Sequence, residues 1–247
     1  MNNQQIIKTN PEFGVELALT IPYTYWLHLQ GELKTVITSK GMKPFYYFCD
    51  VEEKFDSRHL DHTQTGMDDV PNKWIHGTEP LKEPGVLDYS QWTPPPYQEK
   101  FKTDEFEHLK PYVVVSNNYN VEGGRDISKS FRYFDMPTLS EIFTYLVNEG
   151  YNVIYKRPNN KEFTPDFNEQ ISLHHNHTLQ ATLEDVGVVT DYDFCKYFEG
   201  KVININDIDT KHTYNELQMK LYSGAEGFIV SNGGGGDLCC YFNKHVI

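Results

Sequence analysis

The second half of the chain switches repeatedly between two hydrophobic periods. Tyr112-Val-Val-Val-Ser116 is a continuous apolar run, the pattern of a strand buried on both faces. Leu139, Ile142, Phe143, Leu146 and Val147 then recur at three- and four-residue steps. That spacing predicts an amphipathic helix, with Thr138 or Ser140 as cap and Gly150 as stop. Tyr151-Asn-Val-Ile-Tyr155 reads as the next strand and ends at Lys156-Arg157-Pro158. Short strands follow over 186–190 and 202–205, separated by a helix over 191–198. A helix over 213–223, with Leu217, Leu221 and Tyr222 on one face, leads into the strand Phe228-Ile-Val230. Ser231-Asn232 and the run Gly233-Gly234-Gly235-Gly236 end that strand, and 237–243 reads as helical.

The first half is less regular. A strand is expected over 15–21, a loop and short helix over 22–30 closed by Gly31, a second strand over 34–38 and a third over 45–48 entered through Pro44. Between 50 and 110 periodicity is poor, and prolines recur at Pro71, Pro80, Pro84 and Pro94-Pro95-Pro96. The last three suit a stiff polyproline II connection, so the boundary falls between them and Pro111. The expectation is two domains: an irregular, smaller α/β unit over 1–110 and a regular one over 111–247.

Strands alternating with helices imply parallel pairing through right-handed crossovers, with ligands bound beyond the carboxyl ends of the strands. Those ends carry Ser116-Asn117-Asn118, Lys156-Arg157 and Ser231-Asn232-Gly233. A strand, a glycine turn and a helix start also present several unobstructed N–H groups, which suits a phosphate or diphosphate. Four glycines in a row carry an entropic cost and are kept mainly where positive φ or close backbone approach is needed; the plainer alternative is a flexible turn. No GxGxxG or GxxxxGK[ST] is present, so neither the dinucleotide nor the P-loop fingerprint applies.

Charge narrows the partners. The net charge is -13, with 11 basic against 17 acidic residues up to Lys110 and 11 against 18 beyond it. Without a basic face, nucleic acid is not an expected partner, and a small anion must be held by local N–H groups and a few placed Lys or Arg. Cys49, Cys195, Cys239 and Cys240 lack metal or redox spacing and suit a reducing cytoplasm. The N-terminus has no apolar signal core and no run reaches membrane-spanning length, so a cytoplasmic protein without a transmembrane segment is expected. His174-His175-Asn-His177 does not place three imidazoles as the known zinc motifs do; Asp68-Asp69 and Asp207-Ile-Asp209 resemble the carboxylate pair of metal-dependent transferases, but Asp207-Ile-Asp209 lies in the wrong place in this topology and reads as a solvated turn, so no metal site is expected.

This order of elements over residues 111–247, ending in Ser231-Asn-Gly-Gly-Gly-Gly-Asp237, resembles the C-terminal, nucleotide-sugar-binding domain of GT-B glycosyltransferases. For residues 1–110 the resemblance is weak, although Ile21-Pro-Tyr-Thr-Tyr-Trp-Leu-His28 is similar to the first strand-to-helix loop of a reduced acceptor domain. The resemblance implies a Rossmann-like parallel C-terminal domain and metal-independent transfer of a sugar from a nucleoside-diphosphate sugar to a glycan. It also implies that Gly233, Gly234, Gly235 and Gly236 receive the donor diphosphate, with no further cofactor.

Asp237 stands nearest to the acidic residue that often contacts the donor in that family, but sits early. Ser116, Asn117, Asn118, Arg157, Ser231 and Asn232 complete the expected donor site. Arg157 is favoured over a lysine because its planar fork binds phosphate bidentately, the alternative being a surface salt bridge. For the base that deprotonates the acceptor, His28 and Glu122 are the two candidates. The competing classes are a non-catalytic nucleotide- or carbohydrate-binding module and another α/β sugar-phosphate enzyme.

Overall fold

Two groups of parallel strands organise the chain. A computed structural model describes residues 4–56, 58–59, 66–71, 93–117, 133–157, 179–184, 186–231 and 233–247. The described residues up to Pro96 form one compact unit and those from Tyr97 onward a second.

In the first unit, strands β1 (Gln5–Lys8), β2 (Leu33–Ser39) and β3 (Asp50–Phe55) pair in parallel in that order. The crossover between β1 and β2 is helical: α1 (Phe13–Val15), a π-helical turn (Glu16–Thr20) and α2 (Ile21–Leu29). The strand expected over 15–21 is therefore corrected. Phe13, Leu17, Ile21, Thr24 and Leu27 are all buried, a helical spacing that the flanking apolar residues mask. Glu12 starts the helix by accepting a hydrogen bond from the Val15 amide at 3.0 Å. The strand expected over 45–48 is a 3-10 turn (Lys43–Tyr46) that buries Phe45 and Tyr46. The third strand comes later, in the charged and mostly exposed Asp-Val-Glu-Glu-Lys-Phe of β3.

Glu16 ties this unit together. Its fully buried carboxylate accepts from Thr38 Oγ1 at 2.9 Å and Tyr46 Oη at 2.6 Å, and it pairs with Arg58. Arg58 donates in turn to the Pro11 carbonyl at 3.2 Å and lies over the Phe13 ring. One side chain thus links the loop after β1, the end of β2, the 3-10 turn and the chain beyond β3.

The second unit contains α3 (Tyr97–Lys100), β4 (Tyr112–Ser116), α4 (Met136–Asn148), β5 (Asn152–Lys156), the antiparallel hairpin β6 (Gln180–Leu183) and β7 (Gly187–Thr190), and α5 (Asp191–Phe194). It continues with β8 (Val202–Asn204), α6 (Tyr214–Gly224), β9 (Gly227–Val230), α7 (Gly234–Cys239) and β10 (His245–Val246). The five-stranded sheet runs β10-β9-β4-β5-β8, every pair parallel, as the alternation of strands and helices requires. Val113, Val115, Val153 and Tyr155 on one face pack on Leu139, Phe143 and Leu146 of α4 and on Phe194.

Asp135 caps α4 by accepting from the Thr138 amide at 2.9 Å, one turn earlier than the caps expected from sequence. The division at Pro96 lies at the near end of the expected interval. Tyr97 stacks on Tyr241 with centroids 5.1 Å apart, and Gln98 donates to the Ser223 carbonyl at 2.8 Å, so 97–110 belongs with the second unit.

Candidate functional site

The strand order fixes where a ligand can enter the second unit. From β4 the chain moves outward to β5 and β8, then returns through α6 to β9 on the other side of β4. The order reverses between β4 and β9, and the crevice beyond the carboxyl ends at such a reversal is where open parallel sheets bind ligands. Ser116 at the end of β4 is in register with Lys156 on β5 and Val230 on β9, so three strand ends form one rim. The Ser231 amide donates to the Ser116 carbonyl at 3.0 Å and carries the pairing one residue further.

Gly233 turns the chain there with φ 115°, a conformation that L side chains rarely adopt. The helix begins inside the glycine run, at Gly234, rather than at Asp237 as expected. Leu238, Cys239, Tyr241 and Phe242 are buried and anchor it. The amides of Gly236 and Asp237 donate to the Gly233 carbonyl at 2.8 and 3.3 Å. Gly234 and Gly235 occupy the first turn, where no intrahelical acceptor exists.

Strand alternation splits the basic pair expected at the rim. Tyr155 faces α4, so Lys156 faces the opposite side, where its fully buried ammonium lies 5.9 Å from the centroid of the Tyr222 ring. A methyl group added at Gly235 would stand 3.1 Å from Ser116 Oγ and 3.7 Å from Lys156 Nζ. A side chain at Gly235 would press on Ser116 Oγ and lie in van der Waals contact with Lys156 Nζ. Lys156 is thus the cation directly behind the glycine turn, and it was missing from the donor site expected from sequence.

Arg157 turns to the α4 side and is buried there, so the surface salt bridge weighed as its alternative is also excluded. Its Nε donates to Asp191 Oδ2 at 2.7 Å, its guanidinium lies 4.6 Å from the centroid of the Tyr192 ring, and Tyr155 Oη donates to the same Asp191 oxygen at 2.8 Å. Burial pushes the Asp191 carboxyl upward, while the Arg157 guanidinium and the Tyr155 hydroxyl pull it back. Burial likewise pushes the Tyr155 phenol well above its usual value. Asn117 extends the network: its amide donates to the Phe134 carbonyl at 2.9 Å, and its Oδ1 accepts from the Phe134 amide at 2.8 Å. Asp191 was not singled out from the sequence. The only signal was an acidic residue just after the cap Thr190, and its partner lies 34 positions away.

Ser231 is buried beside Asn117, with Ser231 Oγ 3.4 Å from Asn117 Oδ1. Asp237 is exposed in the first turn of α7. Asn118, Glu122 and Asn232 lie outside the described residues, as do the histidines at 174, 175 and 177.

His28 sits in the last turn of α2, exposed and stacked on Tyr25. The Gly31 amide donates to its carbonyl at 2.9 Å just before β2 begins, so His28 stands at the amino end of that sheet, away from the strand ends where ligands bind. His28 was expected from sequence as a base facing a cleft; within its own unit it stands at the opposite end of the sheet from the carboxyl ends of the strands.

Cys239, beside the glycine turn, is pushed up to about 12 by burial and is silent as a thiolate. Among the described residues no group of three or more His, Cys, Asp or Glu side chains could hold a metal ion, and no helix is long and apolar enough to cross a membrane.

No family model and no curated protein matches the chain. Among solved structures it is similar to the iron-containing dodecameric glycosyltransferase TibC from enterotoxigenic E. coli H10407, at 14% identity and a TM-score of 0.45, with 98% of this chain and 59% of that chain covered. It is also similar to dodecameric iron-containing heptosyltransferase TibC in complex with ADP-D-beta-D-heptose, at 14% identity and a TM-score of 0.49, with 100% of this chain and 58% of that chain covered. The chain therefore spans less than two thirds of the length of those proteins.

Proposed function

We propose that this chain is a glycosyltransferase that takes a sugar from a nucleoside-diphosphate sugar and passes it to a glycan acceptor, with its second unit holding the donor as in GT-B enzymes. One observation carries this: at the switch point of an all-parallel sheet, a glycine turn lies against Ser116 and the buried ammonium of Lys156. Transfer of a glycosyl group leaves a diphosphate whose charge must be stabilised. The Gly234 and Gly235 amides and the Ser116 hydroxyl supply hydrogen-bond donors for it, and Lys156 supplies a fixed positive charge in an otherwise acidic chain.

Arg157 and Asn117 support the site from the other face of the sheet by holding Phe134 and Asp191 at the rim. In this form the reaction requires no metal ion and no cofactor beyond the donor. Glu122 is retained as the candidate base. A cytoplasmic location fits the four free cysteines.

A thermal-shift screen against UDP, GDP, ADP, CMP and dTDP derivatives tests the donor site, because a ligand that binds only the folded chain raises its melting temperature. Binding of one nucleoside diphosphate, followed by slow donor hydrolysis in EDTA, is the expected outcome. If free sugar phosphates bind and nucleoside diphosphates do not, the proposal fails. A non-catalytic nucleotide-binding module is the second reading, favoured by the position of His28 at the far end of its sheet. It predicts donor binding with no hydrolysis at any pH.

A further inference from the structure

On the second unit, away from the glycine turn, a histidine is held between two carboxylates. His212 precedes α6, and its side chain is only 9% exposed. Its Nε2 lies 2.8 Å from Glu105 Oε2 and 3.1 Å from Glu105 Oε1, and its Nδ1 lies 3.1 Å from Glu216 Oε1. Glu105 comes from the segment 97–110 and Glu216 from the first turn of α6. The other charged group facing the cluster is Lys220, whose Nζ is 3.4 Å from Glu105 Oε2. The His212 amide donates to Thr210 Oγ1 at 3.1 Å, which fixes the backbone that carries the ring.

Ionised carboxylates only accept hydrogen bonds, and a neutral imidazole has one donor nitrogen. A neutral His212 can therefore satisfy one glutamate and must turn a lone pair toward the other. The imidazolium donates to both at once, and with Lys220 it balances the two negative charges. The His212 ring holds the Glu105 carboxyl below the usual carboxylate range, as a donor at this position should.

We propose that His212 is a proton-operated clasp that holds the segment 97–110 to the start of α6 most tightly when doubly protonated and loosens it when neutral, while Lys220 keeps its contact with Glu105. Its target is local. Gln98 and Phe101 hold the other end of the same segment to Ser223 through hydrogen bonds that do not titrate, so any loosening is confined to the stretch around Glu105 and the segment stays docked. The clasp does not depend on what the glycine turn binds.

Hydrogen–deuterium exchange of the full chain tests this, read on peptides over 102–109 and 210–220 at about pH 6 and about pH 8 after correction for the intrinsic exchange rate. Protection in the wild type should fall roughly threefold to tenfold on going to the higher pH, the size expected for loss of one charged contact. His212→Gln should show no such fall. Glu216→Gln should keep high protection at both values, because its amide can donate to the neutral ring at Nδ1. A wild type equally protected at both pH values would overturn the clasp, as would a His212→Gln or Glu216→Gln variant that keeps the wild-type pH response.

Discussion

Lys156 and Gly235, 79 residues apart in the chain, meet at the rim of the second sheet: a Cβ on Gly235 would lie 3.7 Å from the Lys156 ammonium and 3.1 Å from Ser116 Oγ. Gly236, one residue on, would meet Val230 Cγ2 at 3.4 Å and the Ser231 carbonyl at 3.8 Å, both ordinary contacts. Gly235→Ala should therefore weaken binding of a nucleoside diphosphate about tenfold by pressing Ser116 Oγ out of place beside Lys156. Gly236→Ala should leave binding intact and stabilise the chain by up to about 1 kcal/mol, since alanine is the better helix former. Paired calorimetric titrations and melting curves check both. Equal effects at the two positions would show that the close approach to Ser116 does not matter. Gly235→Val is a poor probe, because its bulk would disturb the packing of the rim along with the binding.

The two neighbouring basic residues should fail in opposite ways. Lys156→Met keeps the buried volume and removes the ammonium, so it should leave stability unchanged or slightly raised and lower diphosphate affinity about tenfold. Arg157→Met strands the Asp191 carboxylate in the interior and should cost about 3–5 kcal/mol of stability. Urea denaturation followed by circular dichroism, together with the ligand titration, separates the two. Loss of affinity without loss of stability in Arg157→Met would reverse their roles.

The first unit has its own probe. Trp26 lies in α2 of that unit, so its fluorescence follows the unfolding of the unit. Glu16→Ala removes the acceptor for Thr38, Tyr46 and Arg58 and should lower the stability seen by fluorescence by about 3–5 kcal/mol. A change below about 1 kcal/mol would mean that water or another group replaces the carboxylate.

Asp135 gives a pH-dependent test at α4. Its hydrogen bonds with Thr138 hold its carboxyl below the usual value, so the folded chain favours the ionised form. That stabilisation is present above about pH 3.9, the ordinary aspartate value, and is lost as pH falls through the lower folded one. Asp135→Asn keeps an acceptor at the cap and should remove this part of the acid sensitivity. Asp135→Ala should cost about 1 kcal/mol at neutral pH. Melting temperatures across the acid range check both.

Much of the second unit was legible in sequence because its strands are short apolar runs and α4 is two-sided. Leu139, Phe143 and Leu146 face the sheet while Glu141 stays exposed. The crossover of the first unit was not legible for the opposite reason. From Glu16 to Thr24 almost every residue is buried, including a carboxylate, so the polar gaps that reveal a helix are missing. The meeting of Ser116, Lys156 and Val230 at one rim could be read from the alternation of strands and helices alone. Lys156 and Arg157, read from sequence as one basic pair at the rim, turn to opposite sides of the sheet at the end of β5, which adjacency in sequence does not show. The tie to Asp191 was out of reach, since it joins positions far apart in the chain and depends on how α5 docks.

The reversal of strand order between β4 and β9 has an evolutionary corollary. The rim positions Ser116, Lys156 and Val230 end three different strands, whose pairing is set by the residues behind them. The connection after each can lengthen, shorten or change composition while the hydrogen-bonded ladder beneath stays as it is. Descendants of one ancestral scaffold could thus diverge in what they recognise by editing one connection at a time.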